Sequence, residues 1–220
     1  MSRDLLTLLI RGTLDTLYMV GASSLIAIAL GLPLGVTLYV ASDVGILRNR
    51  PVYSVASFVV NIGRSTPFVI LMIAIIPFTR WVVGTSIGIN AAVVPLSVAA
   101  IPFVGRVVES SLREIDAGVI EAAQSMGASP VEIIRKVLLP EGLPGIISGS
   151  TLAVINLVGY SAMAGTIGGG GLGDIAVRYG YQRFMPDVMI ATVVILVAMV
   201  QAVQLAGDKL SALARHDRKN

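Results

Sequence analysis

Between Asp15 and Asp43 the chain runs from Thr16 to Ser42 without one Asp, Glu, Lys or Arg. About 20 apolar residues cross the hydrocarbon of a bilayer as a helix. A segment in lipid must also close its backbone hydrogen bonds within the protein. Comparable stretches recur. Val52 to Gly63 is apolar, Arg64 interrupts, and Ser65 to Thr79 is apolar again, neither half spanning comfortably alone. Trp81 to Gly105 carries turn residues at Gly84-Thr85-Ser86 and Gly88, so its helix proper starts near Ile89. Gly142 to Gly173 has no charge, and glycines crowd in after Ala164, where its helix ends. Val188 to Gly207 is the last. The pattern predicts an all-α polytopic membrane protein of five transmembrane helices, or six if residues 52–80 include a re-entrant piece. Ahead of the first span, Leu5 to Ile10 is short and Arg11 follows with no small-residue cleavage site. Residues 3–12 therefore read as a surface helix rather than a secretory signal.

Composition agrees with a lipid environment. Hydrophobic residues make up 55% of the chain and charged residues 13%, against about 25% charged in an average soluble domain. A soluble domain of this length leaves too much surface outside its core to hide so many apolar side chains. The chain has no cysteine, and its one histidine is His216. Disulfides, cysteine-ligated metals and a His-based catalytic dyad lack their raw material. No G-x-x-x-x-G-K-[ST] run is present to cradle nucleotide phosphates. Gly168, Gly170 and Gly173 satisfy G-x-G-x-x-G, but a dinucleotide site needs a preceding strand in a βαβ unit. Here a membrane helix precedes the glycines, so they read as a turn between spans that permits close backbone approach.

The whole chain, residues 1–220, reads as one transmembrane domain with its core at about 13–207 and a long loop at 106–141. Lys and Arg concentrate on the cytoplasmic side of membrane proteins. With five spans, one side holds Arg48, Arg50, Arg106, Arg113, Arg135, Lys136, Lys209, Arg215, Arg218 and Lys219. The other holds Arg3, Arg11, Arg80, Arg178 and Arg183. The first side is cytoplasmic by this rule, with the C-terminus inside, the N-terminus outside and the 106–141 loop in the cytoplasm. Arg64 sits best at an interface with its stem snorkelling. The deep parts of the spans hold no charged residue, which leaves a proton-coupled carrier without its relay.

The loop is the most informative segment. Val119 to Met126 are good helix formers, and Gly127 stands where a left-handed residue ends a helix. Ser129-Pro130-Val131-Glu132 is a capping box with proline at the first helical position. That second helix should end by Leu139, since Pro140 disfavours helical geometry before it. Two short helices joined at Gly127-Ala128 form a rigid lever tied to two spans. Ala122, Ala123 and Met126 offer a small, flexible face suited to a groove on another protein. Ala123 and Gly127, four apart, can share one surface. A DNA-binding helix-turn-helix would need more basic and base-reading side chains than Arg135 and Lys136 supply.

Glu121-Ala122-Ala123, then Gly127, then Val137-Leu138-Leu139-Pro140 resembles the EAA loop of ABC importer permeases, with every spacing matched. NIGRSTPFVIL, IPFTRWVVGTSIG, LVGYSAMAG, GGGGLGDIAVRYGY and QLAGD extend the resemblance to the methionine-importer group. The resemblance implies a type I importer permease in the bacterial cytoplasmic (inner) membrane, working as a homodimer by alternating access. It implies two ATPase subunits that carry ATP and Mg, and a substrate-binding lipoprotein that delivers L- or D-methionine. This chain would bind no cofactor, metal or nucleic acid and would have no catalytic residue. The coupling surface would be Val119, Ile120, Glu121, Ala122, Ala123, Met126 and Gly127.

A path for methionine should be weakly polar and soft. Asn61, Ser97, Asn156, Tyr160, Ser161 and Met163 fit that description. Asn156 and Tyr160 share a helix face, with Met163 three residues further on as an adaptable plug. The same groups could equally hydrogen-bond between helices. Permeation of another amino acid or an osmoprotectant, an ATP-independent channel, and a scaffold remain as alternative functions.

Overall fold

Four helices are long and apolar enough to cross a membrane: Leu5–Ala41, Ile89–Arg113, Pro130–Gly169 and Pro186–Arg215. A bent pair, Arg50–Ser65 with Phe68–Ala74, brings the number to as many as five. The computed structural model describes residues 3–216, and the described elements are helical: α1 (Arg3–Ala41), α2 (Arg50–Ser65), α3 (Phe68–Ala74), α4 (Ile76–Val83), α5 (Ile89–Arg113), α6 (Ala117–Ser125), α7 (Pro130–Ile133), α8 (Leu139–Ala164), α9 (Gly171–Ile175) and α10 (Pro186–His216). Arg218 and Lys219, counted above in the charge distribution, lie outside the described residues.

Three boundaries differ from the sequence-based expectation. Residues 3–12 do not form a separate surface helix but the opening turns of the 39-residue α1. Nothing after Arg11 stops the helix, and the Thr13 and Thr16 hydroxyls donate back to the Leu9 and Gly12 carbonyls at 2.7 and 2.9 Å. Residues 52–80 break twice. Pro67 has no N–H and holds Thr66 out of helical geometry, and the chain bends by 105° there. Ile75 then separates α3 from α4, which closes on left-handed Gly84 at φ +80°. Finally, Pro140 does not end a helix. A π-helical turn at Ile134–Leu138 joins α7 to α8, with the Leu139 N–H reaching the Ile134 carbonyl. The ladder is thus reset by one residue immediately before Pro140, which falls in the first turn of α8, where a missing donor is tolerated.

The chain packs as two compact units, with α1, α5, α8 and α10 contributing residues to both. The first contains Met1–Ala27, Thr66–Ala100 and Ala153–Gln204. Its core joins Leu9, Leu172, Ile175 and Val188. The glycine segment after Ala164 folds back tightly, with positive φ at Gly168, Gly170 and Gly171, and the Gly88 N–H donates to the Gly168 carbonyl at 2.9 Å. Thr16, 1% exposed, accepts a hydrogen bond from the Leu172 N–H at 2.9 Å. A side chain at Gly171 would meet Thr16 and Met19 at 2.7 Å, so close approach requires glycine there.

The second unit contains Ile28–Ser65, Ile101–Leu152 and Leu205–Asn220. Gly31 and Gly35 let α1 lie against α5, since a Cβ at Gly35 would stand 2.5 Å from the Gly105 carbonyl oxygen. Gly142 and Gly145 do the same for α8 against Leu112 and Ser111 of α5. Small residues at such crossings maximise van der Waals contact where lipid removes the hydrophobic drive. Ser211 of α10 donates to the Pro144 carbonyl at 3.1 Å and accepts from Ser148 at 2.9 Å.

Thr16→Val keeps the shape of the side chain but leaves the buried Leu172 N–H without an acceptor. We expect a loss of about 1–3 kcal/mol in stability, read as a lower thermal midpoint of the detergent-purified protein.

Candidate functional site

The segment joining α5 to α8 is built by local hydrogen bonding at every joint. Asp116 caps α6, its Oδ1 accepting from the Gly118 N–H at 2.7 Å. At the other end Gly127, φ +79°, donates to the Gln124 carbonyl at 2.9 Å, and Ala128 donates to the Ala123 carbonyl at 3.1 Å. This pair of bonds is a Schellman motif. Ser129 and Glu132 then form the capping box that the sequence predicts. The Ser129 N–H donates to Glu132 Oε2 at 3.0 Å, and the Glu132 N–H to Ser129 Oγ at 3.4 Å. Lys136 Nζ holds the other carboxylate oxygen at 3.0 Å. The turn between the two helices is therefore fixed by two caps only two residues apart.

α6 has nine residues, about 13 Å of helix, too short to cross lipid. Ile120 and Ala123 point into the protein and are buried. Val119, Glu121, Ala122, Met126 and Gly127 are exposed. Val119, Ala122 and Met126 follow i, i+3, i+7 spacing and share one face, and Met126 is 82% exposed. The small outward surface is thus Ala122 with Met126, while Ala123 anchors the helix rather than presenting itself with Gly127. Beside α6 lies a groove of about 500 Å³ whose walls include Tyr39, Val44, Arg113, Ile120, Glu121 and Gln124. The adjoining loop is held by Asp43, which pairs with Arg48 at 2.7 Å and Arg50 at 3.2 Å. The hydrogen bond from Arg50, with the charge of Arg48, holds the Asp43 carboxyl below the usual carboxylate range.

The six weakly polar residues do not form one cluster. On α8, Asn156 and Met163 are exposed on one face, with Tyr160 half-buried beside them. The Tyr160 ring stacks on Phe68, centroids 4.7 Å apart and planes 1° from parallel. The Ser97 and Ser161 hydroxyls are buried and donate within their own helices, to the Val93 and Val158 carbonyls at 2.8 and 2.7 Å. Asn61 lies on α2, and its Oδ1 accepts from Arg106 Nη2 at 2.7 Å.

That last bond belongs to a cluster that was not singled out in the sequence. α5 continues past Gly105 to Arg113, so Arg106, Glu109 and Arg113 are helical rather than part of a loop. Glu109 is 1% exposed and pairs with Arg106 at 2.6 Å and Arg113 at 2.8 Å. The readable signal was the spacing Arg-x-x-Glu-x-x-x-Arg, which puts all three on one helix face.

Residues 27–211 match the profile of the family described as binding-protein-dependent transport system inner membrane component. The chain is 54% identical over 209 residues to the probable D-methionine transport system permease protein MetI of Vibrio cholerae, covering 95% of this chain and 93% of that one. It is 52% identical over 165 residues to the D-methionine transport system permease protein MetI of Escherichia coli K12, covering 75% and 76%. Its backbone is similar to a chain of the MetNI methionine ABC transporter in inward-facing conformations, with TM-score 0.95 and 49% identity over 97% of this chain and 99% of that one. A chain of an amino acid ABC transporter, 22% identical with TM-score 0.72, shares the fold.

Replacing Gly127 by Ala forces a side chain into left-handed geometry, and Ser129→Ala removes a cap. Each should cost about 1 kcal/mol locally. We expect faster amide hydrogen exchange across residues 117–133 with little change in the core of α5.

Proposed function

The chain belongs to the family of binding-protein-dependent transport system inner membrane components, and from that premise we propose how it works. It is the permease subunit of an ABC importer, a multi-pass protein of the inner membrane with the type I permease fold, and ATP hydrolysis resides in a separate subunit. Its substrate is methionine, the solute named for its relatives. Five spans cross the membrane, with the N-terminus outside and the C-terminus in the cytoplasm. Two copies enclose the path, and a substrate-binding lipoprotein delivers the solute.

The α6–turn–α7 unit is the coupling element. Its exposed stripe of Val119, Ala122 and Met126 carries this reading. It is apolar and small, on a helix whose adjoining side is already anchored by Ile120 and Ala123. Such a stripe suits insertion into a cleft of the ATPase. The Schellman motif and capping box make the unit stiff, so a displacement of the ATPase passes to α5 and α8 instead of being absorbed in the turn. Nucleotide binding draws two such subunits together and opens the path outward, and hydrolysis resets it.

Along the path, the open face of α8 is the strongest candidate. Asn156 supplies a weak polar contact, Tyr160 an amphipathic wall and Met163 an adaptable plug. Ser97, Ser161 and Asn61 fit structural hydrogen bonding better, given the partners they already have.

Gly127→Asp adds a charge and a strained side chain at the turn. In vesicles holding the assembled transporter, we expect ATP-driven uptake of labelled methionine to fall at least about tenfold while the variant still inserts. Uptake at the unaltered rate would contradict the lever.

A further inference from the structure

The ion cluster on α5 ties α2 to a helix that carries the displacement in the mechanism proposed above. Its three members lie at i, i+3 and i+7 on α5, so they share one face. Each carboxylate oxygen of Glu109 takes a different guanidinium. Arg106 Nη1 donates to Oε2 at 2.6 Å, while Arg113 Nη2 and Nε donate to Oε1 at 2.8 and 3.1 Å. The same arginines then reach α2. Arg106 Nη2 donates to Ser57 Oγ at 3.0 Å and Asn61 Oδ1 at 2.7 Å. Arg113 Nη2 donates to the Tyr53 hydroxyl at 3.3 Å, with its guanidinium 5.9 Å from the ring centroid. Tyr53, Ser57 and Asn61 are each four apart and form one face of α2. Arg106 meets the later residues and Arg113 the earlier one, so α2 and α5 run antiparallel here.

Toward the coupling unit the connection is short. Arg113 is the last residue of α5, and only residues 114–116 separate it from α6. Arg113 also lines the groove that Ile120, Glu121 and Gln124 of α6 border. The cluster is not fully satisfied, because Arg106 Nε is buried without a hydrogen-bond partner. It also holds two guanidiniums against one carboxylate.

We propose that Glu109 is a positioning residue for transport: by clamping Arg106 and Arg113 it makes α2 follow α5, so that motion entering at α6 is transmitted to α2. This rests on the coupling role given to α6. Without the carboxylate the two guanidiniums repel each other, and their hold on Tyr53, Ser57 and Asn61 loosens. α6 would then move α5 while α2 lagged.

The test uses the assembled transporter in proteoliposomes, with methionine uptake and ATP hydrolysis measured on the same preparation. Glu109→Gln keeps the shape and removes the charge. Tyr53→Phe combined with Ser57→Ala leaves both ion pairs of Glu109 and removes two contacts to α2. We expect hydrolysis to continue and uptake per ATP to fall roughly fivefold or more in Glu109→Gln, less in the double variant, with partial recovery in Glu109→Asp. A purely structural cluster would lower uptake and hydrolysis in proportion to the amount of assembled complex, leaving their ratio unchanged, and that result would overturn the proposal. If Glu109→Gln does not assemble, the ratio in the double variant decides. Failure of the unaltered transporter to couple ATP to methionine uptake would instead contradict the role of α6 itself.

Discussion

Lipid offers the backbone no hydrogen-bond partner, and that constraint governs the membrane-spanning helices of this chain. It explains why the apolar stretches are helices and why their ends and breaks are closed by specific groups. Thr16 caps the Leu172 N–H across a long sequence separation. The π turn at Ile134–Leu138 absorbs Pro140 without ending a helix. Gly84 and Gly127 close α4 and α6 in left-handed geometry that other residues enter only at a cost. Glycines on α1 and α8 let those helices lie close against α5, to backbone contact for Gly31 and Gly35, where hydrophobic attraction between them is absent.

Within that architecture the polar groups divide into two kinds. Those of the α6–turn–α7 unit bond locally, within a few residues, and stiffen a small element. Those around Glu109 bond across tens of residues and join separate helices. A stiff element attached through a short connection to a long-range polar clamp is a suitable way to carry force between helices.

Much of this was legible from residue order alone. The charge-free stretches gave the long helices, and Ile89 and Ala164 fell where the turn glycines suggested. The joint at Gly127 and the box at Ser129 were readable because caps depend on residues three or four apart. Four features were harder to read. The fate of Pro140 depends on a one-residue change of hydrogen-bond register, to which composition is blind. Residues 3–12 merged into α1 because no breaker separates them from it, although their charges suggested otherwise. Glu109 escaped notice because a carboxylate beside two arginines reads as solvated loop, and only the fold reveals it as 1% exposed. Ala123 was expected outward, but its burial follows from helical phase relative to Ile120, which requires knowing the face that packs.

The docking of α6 is tested most directly by a photo-crosslinking amino acid at position 126, which is 82% exposed, in the assembled transporter. Adducts to the ATPase subunit, absent when the same group is placed at the buried position 123, are the expected result. Adducts only to lipid or to the permease itself, while ATP still drives uptake, would contradict it.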